Sequence, residues 1–468
     1  MKQNTFVQHF MESTLNYTVQ NNFKNIFKLA IPMVIAILIP QINLLTNTFF
    51  IGNYSPSNEA LSTQEILSAT GLSGIFYLVL AMIGNGMSSG VLMLLSRAAG
   101  KNNPSKISIL FSNSWIITFL LSLFLLISSL IFVPIIFQNV VQNHFIKEAT
   151  ISFMNIRIWG LPFLLLTQTI NSFFLASSNS KLIIISSIFQ TIVNIILDYW
   201  LILGNNGFPE LGLNGSAIAS VIAEMVYFIV SLLVFYQLLK KKNLKISIFK
   251  HANKRIIKSI FIKSSPLLFQ YLLSVGSWEV FFLFVEHLGK AESAASQLLR
   301  TVFGVVGIQA FALGAVANSM VSNLIGQHRE KEIYSLLLKI VSISLTTAIF
   351  TGSLLIFFPA QFLGILTYDM QLIEKSIPAL RVIVVSTCVL SVGTVLFNAI
   401  LGTGNTKVSF LIEFIGIAVY LIYSYIVIEQ LKLNLSWAWG AEFVYWIALL
   451  LMSLWYLRSG IWQTKLNN

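Results

Sequence analysis

Twelve apolar runs, each long enough to cross a bilayer and nearly free of charge, fix most of what this chain can fold into. A span needs about 20 such residues. The runs lie at roughly 26–52, 64–95, 107–137, 149–175, 182–204, 213–238, 259–287, 293–325, 334–359, 376–401, 408–429 and 436–457. In hydrocarbon each backbone N–H and C=O must be paired within its own segment, so runs of this length fold as helices. Several exceed the minimum, which predicts tilt or extension beyond the bilayer. The whole composition agrees. Of 468 residues, 10% are charged and 56% hydrophobic, with a mean hydropathy of +0.81, where a soluble domain carries roughly a quarter charged residues. The fold class expected is an all-α membrane protein.

The net charge of +12 does not point to nucleic acid, because the bases form no single patch. They fall in short segments between the runs. Lys24 and Lys28 precede the first; Arg97, Lys101 and Lys106, then Lys181, then Lys240 to Lys263, then Arg329 and Lys331, Lys407, and Arg458 and Lys465 follow at alternate connections. The intervening loops are almost free of bases, holding only Lys147, Lys290, Lys375 and Lys432. This alternation places both termini and the central loop in the cytoplasm. The single cysteine, Cys388, can form no intrachain disulfide and reads as a packed thiol. The first 24 residues lack a signal-peptide apolar region, so the first span is expected to act as its own targeting signal.

The halves repeat. LASSNSK (175–181) resembles LGTGNTK (401–407), and SRAAGK (96–101) faces SNLIGQ (322–327), both 226 apart. Gly215 and Gly440 open the sixth and twelfth spans, and Pro32 and Pro266 lie early in the first and seventh. Six spans separate the mates, so the halves share one orientation, as a parallel repeat about the membrane normal. The organisation expected is a cytoplasmic segment 1–24, a first lobe 25–239, a basic linker 240–258, a second lobe 259–458 and a tail 459–468. The linker, KKKNLKISIFKHANKRIIK, is amphipathic and reads as a segment lying on anionic lipid rather than a protein docking site.

Ionisable groups within spans cost about 2.5–3.5 kcal/mol each, so each needs a reason. Asp198 sits one helical turn after Asn194, and an i, i+4 pair shares a face. Together they offer a carboxylate and an amide carbonyl to Na⁺ or a proton; the alternative is a helix–helix hydrogen bond. Their mates in the second half are Tyr420 and Ser424, so a cation site belongs to the first half. Glu279 is flanked by Trp278 and Phe281, which suits an organic cation through charge and cation–π attraction, a proton, or a helix contact. Glu413, Glu224 and Glu442 read as interhelical packing. Arg157, Arg300 and Arg381 read as side chains snorkelling to the headgroups, with a cavity-facing role open for Arg300. Asn171 and Asn398 either line a central cavity or join helices. Gly84, Gly86 and Gly90 permit close helix approach. No Walker A run, HExxH or CxxC occurs, so an enzyme is not expected and energy must come from a gradient.

Several stretches resemble the multidrug and toxic compound extrusion (MATE) family over nearly the whole chain. They are KLAIPMVIAILIPQINLLTNTFFIG, LLSRAAGKNN, FFLASSNSK, NIILDYWLILGNNGFPELGLNGSAIAS, SPLLFQYLLSVGSWEVFF and LGTGNTK. The resemblance implies two pseudo-twofold-related six-helix bundles around a central cavity, exchanging Na⁺ or H⁺ for amphipathic, often cationic compounds. It implies that Asn194 and Asp198 bind the cation, that Glu279 is the seventh-helix acid and that Pro32 bends; the residues themselves add Trp278, Asn171 and Asn398 as candidates beside the substrate and Pro266, the counterpart of Pro32 in the second half, as a second candidate hinge. Where the family commonly has a first-helix aspartate, five residues before a glycine, this chain has Asn47 before Gly52. Asparagine can ligate Na⁺ but cannot titrate, so coupling through Asp198 alone, through Glu279, or through neither stays open. The expected function is export of a small organic substrate by a monomer with no cofactor beyond the coupling ion. The alternatives are a flippase for a lipid-linked oligosaccharide and a non-transporting scaffold. Abundant Ile, Asn and Lys suggest an AT-rich bacterial genome, and the location expected is the bacterial cytoplasmic (inner) membrane.

Overall fold

The computed structural model describes residues 18–52, 63–241, 244, 246 and 252–464. Most of the linker at 242–251, residues 1–17 of the N-terminal segment and 465–468 of the tail lie outside them. All regular structure among the described residues is helical. Twelve spans are long and apolar enough to cross a membrane, from Phe23–Asn43 to Leu435–Arg458. Their ends agree with the apolar runs to within six residues, except that the first span stops at Asn43 where the run was expected to reach 52. The fourth is built of two helices, α4 (His144–Arg157) and α5 (Leu161–Ala176), joined by a 3₁₀ turn. Pro162 in the first turn of α5 explains the join, since proline tolerates a helix start but not its interior.

The described chain divides into two compact units. Unit 1 contains Ile35–Leu95 and Asn103–Ile262; unit 2 contains Thr18–Val34, Ser96–Asn102 and the chain from Lys263 onward. Two helices change unit close to a proline. Helix α1 (Phe23–Gly52) passes from unit 2 to unit 1 after Val34, two residues beyond Pro32, and α8 (Lys254–Glu286) passes back after Ile262, four before Pro266.

Unit 1 is organised by α7 (Gly212–Lys241), which packs on α4, α5 and α6 (Lys181–Leu201). Its core joins Ile51, Ile66, Tyr77, Phe137, Phe153 and Ile202. A second cluster stacks Phe111 of α3 (Pro104–Val140) on Phe173 and Phe235, with ring centroids 5.3 and 4.7 Å away. Asn103 starts α3 by accepting a hydrogen bond from the Lys106 N–H at 2.9 Å, a standard helix N-cap.

Unit 2 is organised by α12 (Met370–Thr403), which packs on α9 (Lys290–Gly326), α10 (Ile333–Phe357) and α14 (Leu435–Arg458). Small residues let these backbones close up: a Cβ on Gly402 would lie 2.9 Å from the Asn318 carbonyl oxygen. Cys388 on α12 is partly exposed rather than packed in a core.

The repeat read from sequence is visible in the backbone. Among the described residues five non-glycine residues have positive φ, and with Gly404 they make three pairs. Asn102 and His328 (φ 47° and 59°), Ser178 and Gly404 (59° and 93°), and Asn206 and Lys432 (56° and 49°) are each 226 positions apart. Left-handed residues are uncommon outside glycine, so equal offsets at three turns are not a coincidence of pattern. Within unit 2 the mates Gly100 and Gly326 also meet reciprocally. A Cβ on Gly100 would lie 2.0 Å from the Asn323 carbonyl oxygen, and one on Gly326 2.2 Å from that of Arg97. Arg97 then donates to the Thr403 carbonyl at 2.6 Å.

Candidate cation-binding site

Four polar residues follow one another along one side of α6 in unit 1: Gln190, Thr191, Asn194 and Asp198. Asp198 is fully buried and Asn194 nearly so. Neither carboxylate oxygen of Asp198 finds a hydrogen-bond partner among the described residues, and neither do Asn194 Nδ2, Thr191 Oγ1 or Gln190 Oε1. Buried polar groups are almost always paired, and an unmet carboxylate is the costliest exception. Four residues along one side of one helix thus present unmet polar atoms together.

The neighbouring elements close around the end of α6. A Cβ on Gly215 of α7 would lie 2.3 Å from the Leu201 carbonyl oxygen, so only glycine allows this approach. The Leu211 N–H donates to the same carbonyl at 2.9 Å. Next in sequence, Ser216 donates through Oγ to Asn47 Oδ1 of α1 at 2.7 Å. One turn further along α1, Phe50 lies against Tyr199, with ring centroids 6.3 Å apart. Asn47 is therefore held by Ser216 with its carbonyl oxygen already accepting one bond. Asn43, one turn before it, has a buried Oδ1 without a partner among the described residues. Sequence reasoning found Asp198, Asn194 and Asn47 and missed Gln190, Thr191, Ser216 and Asn43. The 191–194–198 spacing on a helix was the available signal for Thr191. Lone hydroxyls in apolar helices give none.

Farther along unit 1, Asn171 donates through Nδ2 to the Tyr227 hydroxyl at 2.8 Å, while its buried Oδ1 has no partner among the described residues. Glu224 is not a simple packing contact. Arg157 grips it at 2.8 and 2.6 Å, the Tyr77 hydroxyl donates to it at 2.7 Å, and the guanidinium lies 3.6 Å from the Tyr77 ring centroid. Arg157 does not snorkel to the headgroups; its side chain is 14% exposed and its charge is spent on Glu224.

The three acids within the spans of unit 2, Glu279, Glu413 and Glu442, are all engaged. Glu279 on α8 pairs with Arg300 of α9 at 2.7 Å, and Arg300 lies 4.7 Å from both the Trp278 and Phe282 ring centroids. The charge and the aromatic face that suit an organic cation are here taken by an arginine, which therefore does not reach out to the headgroups. Trp278 donates its indole N–H to Glu442 at 3.1 Å, where the Tyr420 hydroxyl and the Trp446 indole also donate at 3.2 Å each. Glu413 accepts from Ser274 and from the Tyr445 hydroxyl. Asn398 donates to the Thr394 carbonyl of its own helix at 3.0 Å, and its amide stands 2.8 Å from where a Cβ on Gly314 would lie, at the α9–α12 crossing.

The chain is similar to known proteins over most of its length. Residues 32–200 and 266–426 match the MatE family model. A probable multidrug resistance protein NorM of Synechocystis is 26% identical over 359 residues, 75% of each chain. A probable multidrug resistance protein NorM of Thermotoga maritima is 22% identical over 455 residues, 94% of this chain and 93% of that one. A crystal structure of a MATE protein in complex with MaD3S superposes with a TM-score of 0.84 at 16% identity, covering 97% of this chain and 98% of that one. The twelve-span helical fold with its two units is thus shared with solved MATE proteins, and the chain belongs to the MatE family of membrane transporters.

Proposed function

We propose that this chain exports small amphipathic compounds, driven by entry of Na⁺ or H⁺ at Asp198. The observation that carries the reading is the buried carboxylate of Asp198, both of whose oxygens lack partners within the described protein. A charge left alone there is costly. A monovalent cation or a proton removes the cost, with Asn194 and the second lone pair of Asn47 Oδ1 completing the site. Gradient energy is transmitted if the protein's conformations bind that cation with different affinity. Pro32 and Pro266 supply the bending points in this scheme. Their support is that each stands within four residues of where its helix leaves one unit for the other.

Export of drugs is supported by the relatives, which carry multidrug resistance names over most of their length. For the substrate, we place cationic amphipaths beside Glu279 and Trp278, where the guest competes with Arg300 for the carboxylate and the indole face, and Asn171 and Asn398 at the edges. The protein works as a monomer in the bacterial inner membrane, with both termini in the cytoplasm. Uptake of a fluorescent cationic drug into proteoliposomes, with Na⁺ and pH gradients imposed separately, tests the reading. A gradient-driven flux that Glu279→Gln weakens for cations alone supports it. A flux indifferent to both gradients, or transport of a labelled lipid in place of the drug, contradicts it.

A further inference from the structure

The polar side of α6 continues beyond the cation site. Ser187 shares it with Thr191, Asn194 and Asp198, at steps of three or four residues that keep one helix face. Ser187 stands about 16 Å along the axis from Asp198. Helix α7 runs back beside α6, with Gly215 against Leu201, and has a polar side of its own: Ser216, Ser220, Tyr227 and Ser231. Ser216, near one end, holds Asn47. Near the other, the Tyr227 hydroxyl meets Ser187 and accepts from Asn171 of α5 at 2.8 Å. The two polar sides therefore face each other at Ser187, inside unit 1, while Ile188, Ile192 and Ile196 of α6 are exposed on its opposite side. Ser187, Tyr227 and Ser231 are buried, as Asp198 is. Unmet polar atoms continue along this stretch. After those of α6 come Asn171 Oδ1 and Ser231 Oγ, neither with a partner among the described residues. All but Asn194 Nδ2 are oxygens. Past Ser231 both sides turn apolar, at Val234 and Leu238 of α7 and Ile183 of α6, all buried.

We propose that unit 1 contains a hydrated track between α5, α6 and α7, along which the cation admitted at Asp198 moves on to Ser231. The proposal rests on the reading of Asp198 as the coupling-ion site and adds where the ion goes next. Buried polar groups that the protein leaves unpaired are paired by water, and oxygens in series suit a small cation that travels with water. The stations after Asp198 are Asn194, Thr191, the Ser187–Tyr227–Asn171 cluster and Ser231. None of them is charged, so a cation passes them without being trapped and rests at Asp198.

Silver ion probes the track, because it is a small monovalent cation that reacts with thiolates and travels where water does. The single native cysteine is removed by Cys388→Ser. Thr191→Cys, Ser231→Cys and Ile192→Cys, the last exposed on the opposite side of α6, are then made one at a time in that full-length chain. Each is treated with silver nitrate in chloride-free buffer, and a fluorescent maleimide counts the thiols left after denaturation. A thiol in hydrocarbon stays protonated and one in contact with water ionises, so T191C and S231C should react roughly tenfold faster than I192C. Adding Asp198→Asn should slow both by a similar factor, because it removes the anion that draws silver into the track. An S231C thiol as slow as I192C, or one whose rate ignores Asp198→Asn while T191C slows, would overturn the track. Labelling needs no gradient, so either result beside gradient-driven efflux sinks the track alone and leaves the coupling site at Asp198 standing.

Discussion

The two units differ at one of the acids within their spans. In unit 2, Glu442 is enclosed by two indoles and a phenol, Glu413 by a serine and a tyrosine, and Glu279 is paired with Arg300. In unit 1, Glu224 is paired with Arg157, yet Asp198 has neither donor nor cation among the described residues. An acid surrounded by donors is stabilised by groups that stay with the protein, and it holds helices together. An acid with none is stabilised only by something that arrives and leaves. The contrast is what the proposed function rests on: Glu224, Glu413 and Glu442 have partners within the protein, and Asp198 is the acid we propose to meet an external ion.

Stability measurements can break that division. Removing one member of a buried ion pair leaves the other charge uncompensated, so Arg157→Ala should lower stability by about 3–5 kcal/mol. The pair also predicts recovery: adding Glu224→Gln to Arg157→Ala should restore part of the loss, as thermal unfolding in detergent would reveal through non-additivity. Glu442→Gln presents an amide NH₂ to indole donors and should cost about 1–3 kcal/mol, while the response of transport to ion gradients persists. Ser216→Ala frees Asn47 and should cost about 1 kcal/mol in stability, with a weakened apparent affinity for Na⁺ in the transport assay. Asp198→Asn should be the mildest of the four for stability, because it deletes a charge that nothing in unit 1 offsets. A large destabilisation by Asp198→Asn, or none by Arg157→Ala, would erase the distinction between the units.

Much of this was legible in the sequence because it is written in periods. Hydrophobic runs give the spans, and the 226-residue offset gives the repeat, which the paired left-handed turns at Ser178 and Gly404 confirm. The Asn194–Asp198 pair was legible because both residues share one helix face. What was not legible depends on how helices rotate against one another. Arg157 and Glu224 are 67 residues apart, and nothing local says that Arg157 points inward at a carboxylate rather than outward at headgroups. Arg300 and Glu279 are only 21 apart, but a turn between helices decides whether they face. Ser216 escaped notice because a serine in an apolar helix usually bonds only its own backbone.

The most direct measurement is drug efflux from proteoliposomes with a Na⁺ gradient and a pH gradient imposed one at a time, comparing wild type with Asp198→Asn. The expected result is gradient-driven flux in the wild type and, in the variant, protein that inserts and folds but no longer responds to either gradient. Flux in Asp198→Asn that still follows the gradient as the wild type does would contradict the central claim.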